Sequence, residues 1–287
     1  MQFWVIQTLN SLSLGGLLFL LSSGFSLIFG LMRIANLTHG AFFMLGAYIG
    51  ITYIRHGVTD FWLAALLGGL SIAVIGGFFE RFVLRPLAGN SQGQVLVTLG
   101  ASLIIADLAL IVWGGDPIPI PTPELLRAPL HLMNFMFPAY RLAVVVVAIL
   151  VAGALYFLIE RTRLGAMIRA GVDDMQMARA VGIPVSRLFT TVFCMGAGLA
   201  GVGGIIGGPI LSAYPGLDSD MLPLALIVVI LGGVGSLIGA FVGSFIIGFV
   251  YTFGIALMPD LAYVILFLPM IFVIAFRPRG LFGRVSA

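Results

Sequence analysis

Residues 160–187 read ERTRLGAMIRAGVDDMQMARAVGIPVSR and form the only long charged interruption in an otherwise apolar sequence. This docking segment, as we call it, lies between apolar runs long enough to cross a bilayer, so it must lie in water. Its excess of arginine predicts the cytoplasmic side of a membrane. Its apolar residues recur at helical spacing, which favours surface helices that dock a cytoplasmic partner over a solvated loop that only fixes the topology.

The composition predicts an integral membrane protein. Of 287 residues, 61% are hydrophobic and 9% charged, whereas a soluble domain carries about 25% charged residues. The apolar runs are too long and too poor in charge to be the strands of a barrel. We therefore expect an all-α fold, a polytopic transmembrane helical bundle that forms one domain over residues 1–287, is surrounded by lipid and has no removable signal peptide.

The absence of lysine narrows the possible chemistry, since all fourteen basic residues are arginine. A phosphate-binding Walker loop needs a lysine, as does Schiff-base or pyridoxal chemistry, so neither belongs to this chain. Cys194 is the single cysteine and excludes an internal disulfide and a cysteine-based metal site. The three histidines have no recognisable catalytic spacing, and the net charge of +3 indicates no nucleic-acid partner. We expect neither an enzyme nor a metal protein.

The apolar runs and the arginines predict the topology. The runs lie at residues 9–31, 41–54, 61–84, 94–113, 142–159, 188–213, 221–254 and 261–276. The run at 221–254 is too long for one perpendicular helix. Two crossings there give nine spans, and a re-entrant element gives eight. The arginines place the N-terminus outside and the C-terminus inside, and the inner set is Arg33, Arg81, Arg85, the docking-segment arginines, Arg277, Arg279 and Arg284. The external loop at 114–140 is rich in proline, which predicts a stiff, ordered lip.

Two interruptions of apolar helix are candidates for a translocation pathway. The first contains Asn36, Thr38, His39 and Gly40, and the second contains Gly232, Gly233, Gly235 and Ser236. Both run into Gly-Ala-Phe, which indicates either an internal repeat or a chance echo in a glycine-rich chain. Irregular backbone at membrane depth survives only inside protein or beside a water-filled cavity, and paired broken helices are typical of translocation sites. The alternative role for the glycines is close helix packing, which is our interpretation of those between 196 and 208.

Asp107 is a further candidate for the pathway. It lies inside the apolar run 94–113, between Ala106 and Leu108, where an ionised carboxylate is costly unless it is paired or wetted. It could also reach water by snorkelling toward the outer face. Together with His39 it permits a rival hypothesis, in which the chain is a stand-alone secondary transporter that uses the two residues as a proton relay.

Five motifs resemble a known family, the permeases of branched-chain amino acid ATP-binding-cassette importers of the LivH type. The motifs cover nearly the whole chain in the expected order, and they are LIFGLMRIANLTHGAFFMLGAY at 27–48, RTRLG at 161–165, MARAVGI at 177–183, LGGVGS at 231–236 and RPRGLF at 277–282. The resemblance departs at Ala41, where the family often carries an acidic residue. Since family members also carry other small amides and acids, the solute class stays open.

The resemblance implies a permease of the bacterial inner membrane that has no cofactor of its own. It implies a second, similar permease as a heterodimer partner, two cytoplasmic ATPase subunits that bind the ATP, and an external solute-binding protein. The residues that it implies for coupling to the ATPases are Arg161, Arg163, Gly165, Arg169, Asp174, Ala178, Arg179, Gly182 and Ile183.

Overall fold

The computed structural model describes residues 2–33, 35–132 and 135–283; Arg284, counted above with the inner arginines, lies outside them. The predicted all-α bundle is confirmed. The helices of the described chain are α1 (Gln2–Met32), α2 (Thr38–Arg55), α3 (Phe61–Phe79), α4 (Ser91–Trp113), α5 (Ala139–Arg161), α6 (Arg163–Asp173), α7 (Met175–Ala180), α8 (Val185–Leu211), α9 (Leu217–Gly232), α10 (Leu237–Leu257) and α11 (Ala262–Phe276).

Six of the described helices, α1, α3, α4, α5, α8 and α10, are long and apolar enough to cross a membrane. The shorter α2, α9 and α11 have 18, 16 and 15 residues. The long run at 221–254 is divided between two helices, α9 and α10. The sequence placed the start of this region four residues late: α9 begins at Leu217, so the acidic residues Asp218 and Asp220 lie in its first turn and not in a loop.

Glycines bring the central helices α1, α2 and α8 into backbone contact. A Cβ atom on Gly24 of α1 would overlap Gly196 of α8, and one on Gly46 of α2 would overlap Gly201. The interpretation of the α8 glycines as packing residues is confirmed at these positions. Close approach of this kind supplies the van der Waals contact that holds helices together in a membrane.

The loop before α5 carries a hairpin that the sequence did not predict. Strand β1 (Pro129–Leu132) pairs antiparallel with β2 (Phe135–Pro138), with Pro129 opposite Pro138. Earlier in the loop, Ile118 exchanges backbone hydrogen bonds of 2.8 and 2.9 Å with Ala213 beyond α8, and its side chain is buried. These contacts hold the described part of the loop in place, and its position outside the membrane stays a prediction. We call this side of the bundle the hairpin end and the other side the α6–α7 end.

An ion pair after α3, between the buried Glu80 and the partly exposed Arg85, is hydrogen-bonded to the start of α8. After α3 the chain makes a π-helical turn, Glu80–Leu84, and Glu80 is 1% exposed. Its carboxylate pairs with Arg85 at 3.1 Å and accepts a 2.7 Å hydrogen bond from the Thr190 hydroxyl. Arg85 also donates to the Ser186 carbonyl at 2.8 Å. The hydrogen bonds to Ser186 and Thr190 thus fix the end of α3 to the start of α8.

Candidate functional site

The first break ends in residues 35–37, which lead directly into α2. The His39 Nε2–H donates a 2.9 Å hydrogen bond to the carbonyl of Leu21, which lies eleven residues before the end of α1. Helix α2 therefore starts beside the middle of α1. Its start is fixed locally, since Asn36 Oδ1 accepts from the Thr38 N–H at 3.1 Å and its carbonyl accepts from His39 N–H at 3.1 Å.

Seven buried polar residues surround this start and form what we call the central polar cluster. They come from the first break and α2, from α4, and from the first turn of α9: Asn36, Thr38, His39, Gln94, Thr98, Ser102 and Asp218. The Thr38 hydroxyl donates to the Thr98 carbonyl at 3.0 Å. Ser102 Oγ lies 3.4 Å from Asp218 Oδ2, and Gln94 donates to the Leu84 carbonyl at 3.0 Å. The cluster thus links three helices deep in the protein.

Much of the hydrogen-bonding capacity of the cluster is unused. Asn36 Nδ2, His39 Nδ1, Gln94 Oε1 and Asp218 Oδ1 are buried and have no hydrogen-bond partner among the described residues. A void of about 10 Å³ lies beside Asn36, Gln94 and Thr98, close to the smallest volume that holds one water molecule. Because buried polar atoms are normally satisfied, these four atoms are positions at which water or another polar group could complete the hydrogen bonding.

Helix α9 is held at its two ends by the glycines of the two Gly-Ala-Phe motifs. A Cβ on Gly40 would lie 2.6 Å from the Asp218 carbonyl oxygen and 2.9 Å from Leu222 Cβ, at the start of α9. A Cβ on Gly239 would overlap the carbonyl of Gly232, at its end. Each glycine stands in the first turn of its own helix. The two motifs therefore mark two contacts of one helix.

The second break, residues 233–236, is a tight turn at the α6–α7 end. Gly233 and Gly235 adopt φ values of +101° and +75°, which glycine adopts without steric penalty. The Ser236 hydroxyl accepts from Gly239 N–H at 3.0 Å and caps α10. A cavity of about 550 Å³ opens beside this turn, and Gly235, Ser236 and Arg169 of the docking segment line it. The structure thus brings together residues that the sequence assigned separately to pathway and coupling.

The docking segment folds into α6 and α7, as predicted. Thr162 caps α6 by accepting from Gly165 N–H at 3.1 Å, and Gly165 lies so close to the Ile159 carbonyl that a Cβ would overlap it. Ile168 is buried in an apolar cluster with residues of α1, α5 and α8. Arg169 pairs with Glu160 at 3.4 Å and also donates to the Ile159 carbonyl. Helix α6 is therefore anchored in the bundle.

Helix α7 presents the more exposed part of the segment. Asp174 caps it by accepting from Gln176 and Met177 N–H at 2.8 and 2.9 Å. Ala178 faces inward, whereas Met177 and Val181 are 61% and 69% exposed. The helix ends at Ala180. Beyond it, Gly182 has a φ of +88°, and the Ile183 N–H donates back to the Ala178 carbonyl at 3.0 Å. Arg161, Arg163 and Arg179 are also exposed. The side chains of Met177 and Val181, which are four residues apart, are therefore left exposed at this end of the bundle.

Asp107 lies apart from the central polar cluster. It is exposed on α4 among exposed leucines and isoleucines, while Ser102, five residues earlier, is buried against Asp218. His39 is fully buried and bonded to α1. The two members of the proton relay hypothesis thus lie apart, with Asp107 exposed on α4 and His39 buried on α2 against α1.

Sequence reasoning missed four members of the cluster. Gln94, Thr98 and Ser102 recur every four residues, which places them on one face of α4, and a polar stripe on an apolar helix was the signal that could have found them. Asp218 gave no such signal, because its burial depends on where the chain enters α9. In the sequence, Glu80 and Arg85 are only two charges near the end of an apolar run, and nothing in that pattern indicates that they pair.

Comparisons with known proteins agree with these observations. Residues 7–274 match the family model described as branched-chain amino acid transport system / permease component. The chain is 29% identical to the high-affinity branched-chain amino acid transport system permease protein BraD of Pseudomonas aeruginosa, over 97% of this chain and 95% of that protein. It is 27% identical to LivH of Escherichia coli, over 98% and 96%. It is also 27% identical to LivM of Salmonella typhimurium, over 76% of this chain and 56% of that protein.

Proposed function

The chain belongs to the family of branched-chain amino acid transport system permease components, and from this premise we propose that it is the membrane-spanning subunit of an ATP-driven importer. Its cargo is a small solute, a branched-chain or other amino acid or a related amide or carboxylate. It works with a second, homologous permease, two ATPase subunits and an external binding protein. It has no ATPase site, because it lacks the lysine that such a site needs.

The observation that carries this proposal is the docking segment. Its two helices are anchored by Ile168 and Ala178, yet they leave Met177 and Val181 exposed at one end of the bundle. Arginines collect at the same end, where Arg33 and Arg169 line the cavity beside α6. The positive-inside rule supports placing this end in the cytoplasm of a bacterial inner membrane, with the C-terminus inside and the N-terminus outside.

The packing supports a route for the motion. Closure of the ATPase pair would push on α6 and α7, and α6 shares its cavity with the turn at Gly235 and Ser236. That turn leads through the Gly232 and Gly239 contact into α9. The far end of α9 carries Asp218 of the central polar cluster. Shifting α9 would therefore open the cluster and switch access from one side of the membrane to the other.

The test is to isolate the tagged chain from its native membrane in mild detergent and identify the proteins bound to it. We expect two ATPase subunits and a second permease, and ATP-dependent uptake after reconstitution into vesicles. Met177→Glu should lose the ATPases, because it charges an apolar contact. Leu125→Glu, a matched control at the hairpin end where Leu125 is 94% exposed, should keep them. Solute uptake by the chain alone, driven by a proton gradient, would refute the proposal.

A further inference from the structure

The cavity at the α6–α7 end has the size and lining of a ligand site. Its volume of about 550 Å³ lies within the range of small-molecule sites. It is bounded by the ends of α1 and α5, by α6, and by the second break with the start of α10. Leu27, Ile159, Ile168 and Leu237 give it apolar walls, and Arg33 and Asp173 lie at its rim. The route proposed above for the motion uses only the edge of this cavity, where α6 meets the turn at Gly235 and Ser236.

Two of the charges around this cavity have no ionic partner. Arg169 and Glu160 form an ion pair at 3.4 Å. Arg33 donates to the Val172 carbonyl at 3.2 Å, but no described carboxylate lies within 4 Å of its guanidinium. Within the same described residues, the Asp173 carboxylate has no cation within that distance. The lining therefore offers one cation, Arg33, and one anion, Asp173, whose neighbour Val172 accepts the hydrogen bond from Arg33. This pair of charges is complementary to a zwitterion that carries both charges on a short linker.

The mouth of the cavity has an apolar border. Tyr156 of α5 and Ile238 of α10 line it and are 51% and 53% exposed. Both helices pack on α1 and scarcely touch each other, so a gap between them faces the surroundings of the bundle. In the orientation proposed above, this gap opens at the level of the inner leaflet. A free amino acid needs no such border, whereas the acyl chains of a lipid do.

We propose that this cavity binds a phosphatidylethanolamine-type phospholipid of the inner leaflet. The phosphate lies on Arg33, the ammonium group on Asp173, and the acyl chains on Tyr156 and Ile238. This inference rests on the proposed function for its orientation. The lipid then lies between α6 and the second break. Its presence stiffens the contact through which movement of the docking segment reaches α10 and α9.

The experiment is native mass spectrometry of the purified importer, released from vesicles that contain equal amounts of phosphatidylethanolamine and phosphatidylglycerol. We expect phosphatidylethanolamine to be retained about tenfold over phosphatidylglycerol, because only the former supplies the ammonium group for a charge-assisted hydrogen bond. Asp173→Asn should abolish this preference, whereas Arg33→Ala should lower the retention of both lipids, because both carry the phosphate. Arg81→Ala, which removes an exposed arginine of α3's end that does not line the cavity, should leave it unchanged.

Equal retention of the two lipids, or the same preference in all variants, would overturn the proposal. So would displacement of the bound lipid by millimolar free amino acid, which would identify the cavity as a solute site. The ATPase subunits are weighed in the same spectra. Failure of the proposed function would show as their absence, and failure of the lipid site would show as lost preference in an intact assembly.

Discussion

Both breaks run into the same three residues, Gly-Ala-Phe, but these residues lie in different surroundings in the two places. The first break carries the chain back into the protein, so that α2 begins beside Leu21 at the middle of α1. The second is a compact turn at the end of the bundle, beside an open cavity. Around the first, several buried polar atoms have no hydrogen-bond partner in the described part of the chain. Around the second, the hydroxyl of Ser236 is satisfied as a helix cap.

The difference teaches that a repeated motif need not repeat a site. Gly40 and Gly239 both allow close contact with α9, one at its start and one at its end. Both glycines allow a close approach to α9 because they have no side chain. The residues beside the two contacts differ in their chemistry. Helix α9 therefore connects a closed, polar centre to an open, charged rim, which is the arrangement expected of an element that transmits motion between gate and coupling surface.

The largest effect is expected for Gly239→Ala. The new methyl group would overlap the Gly232 carbonyl, and since backbone lies on both sides of the contact neither can move aside. We expect the free energy of unfolding to fall by about 3 kcal/mol or more, measured as a lower midpoint of thermal unfolding in detergent. Gly153→Ala on α5, where no atom lies within 4 Å, should leave the midpoint unchanged or raise it, because alanine favours helix. Equal midpoints for the two variants would contradict the close contact.

Gly40→Ala should disturb function more than stability. Its methyl group would lie 2.6 Å from the Asp218 carbonyl, although the Leu222 side chain can move. We expect a loss of about 1–3 kcal/mol together with loss of ATP-dependent uptake, because the start of α9 is displaced from the cluster. Gly100→Ala on α4, also free of neighbours within 4 Å, is the control that should transport normally. Normal uptake by Gly40→Ala would show that α9 tolerates displacement at this end.

The capping residues of the two breaks sharpen the comparison further. Asn36→Ala leaves the buried N–H of Thr38 without its acceptor, which should destabilise by about 1–3 kcal/mol. Ser236→Ala removes a cap from a helix start near the surface, which should destabilise by about 1 kcal/mol. Chemical unfolding of the two variants in the same detergent measures the difference. If Ser236→Ala proved the more damaging, the first break would not be the more deeply buried one.

Much of this architecture could be predicted from the sequence. Apart from α1, which begins seven residues before its apolar run, the runs predicted the helix ends to within about five residues, because length and hydropathy are local properties that a membrane enforces. The docking segment was recognised as helical for the same reason, since its charges and its apolar period are local. The hairpin at 129–138 was not predicted, because its strands are short and lie within a loop whose prolines dominate the pattern.

The central polar cluster was less predictable than the helices, because it depends on contacts between residues that are far apart in the sequence. Thr38 and Thr98 are sixty residues apart in the chain, and Ser102 meets Asp218 across 116. Neither pairing leaves a local pattern. The assignment of Asn36, Thr38, His39 and Gly40 to the pathway rested on broken backbone and stays a prediction, as does that of Gly232, Gly233, Gly235, Ser236 and Asp107. The cluster gives the first four residues a common setting, from which Asp107 is separate.

The most direct test of the central claim, that the path through this subunit is closed at the central polar cluster, is the accessibility of Ser102 during turnover. Replacing the single cysteine by Cys194→Ala and adding Ser102→Cys gives one thiol inside the cluster. Labelling with a membrane-impermeant maleimide is then followed in vesicles that contain the complete importer. The account predicts no labelling at rest, since Ser102 is 7% exposed, and rapid labelling once ATP and solute are supplied. Labelling at the same rate with and without ATP would contradict it, as would a thiol that never reacts in an importer that is transporting.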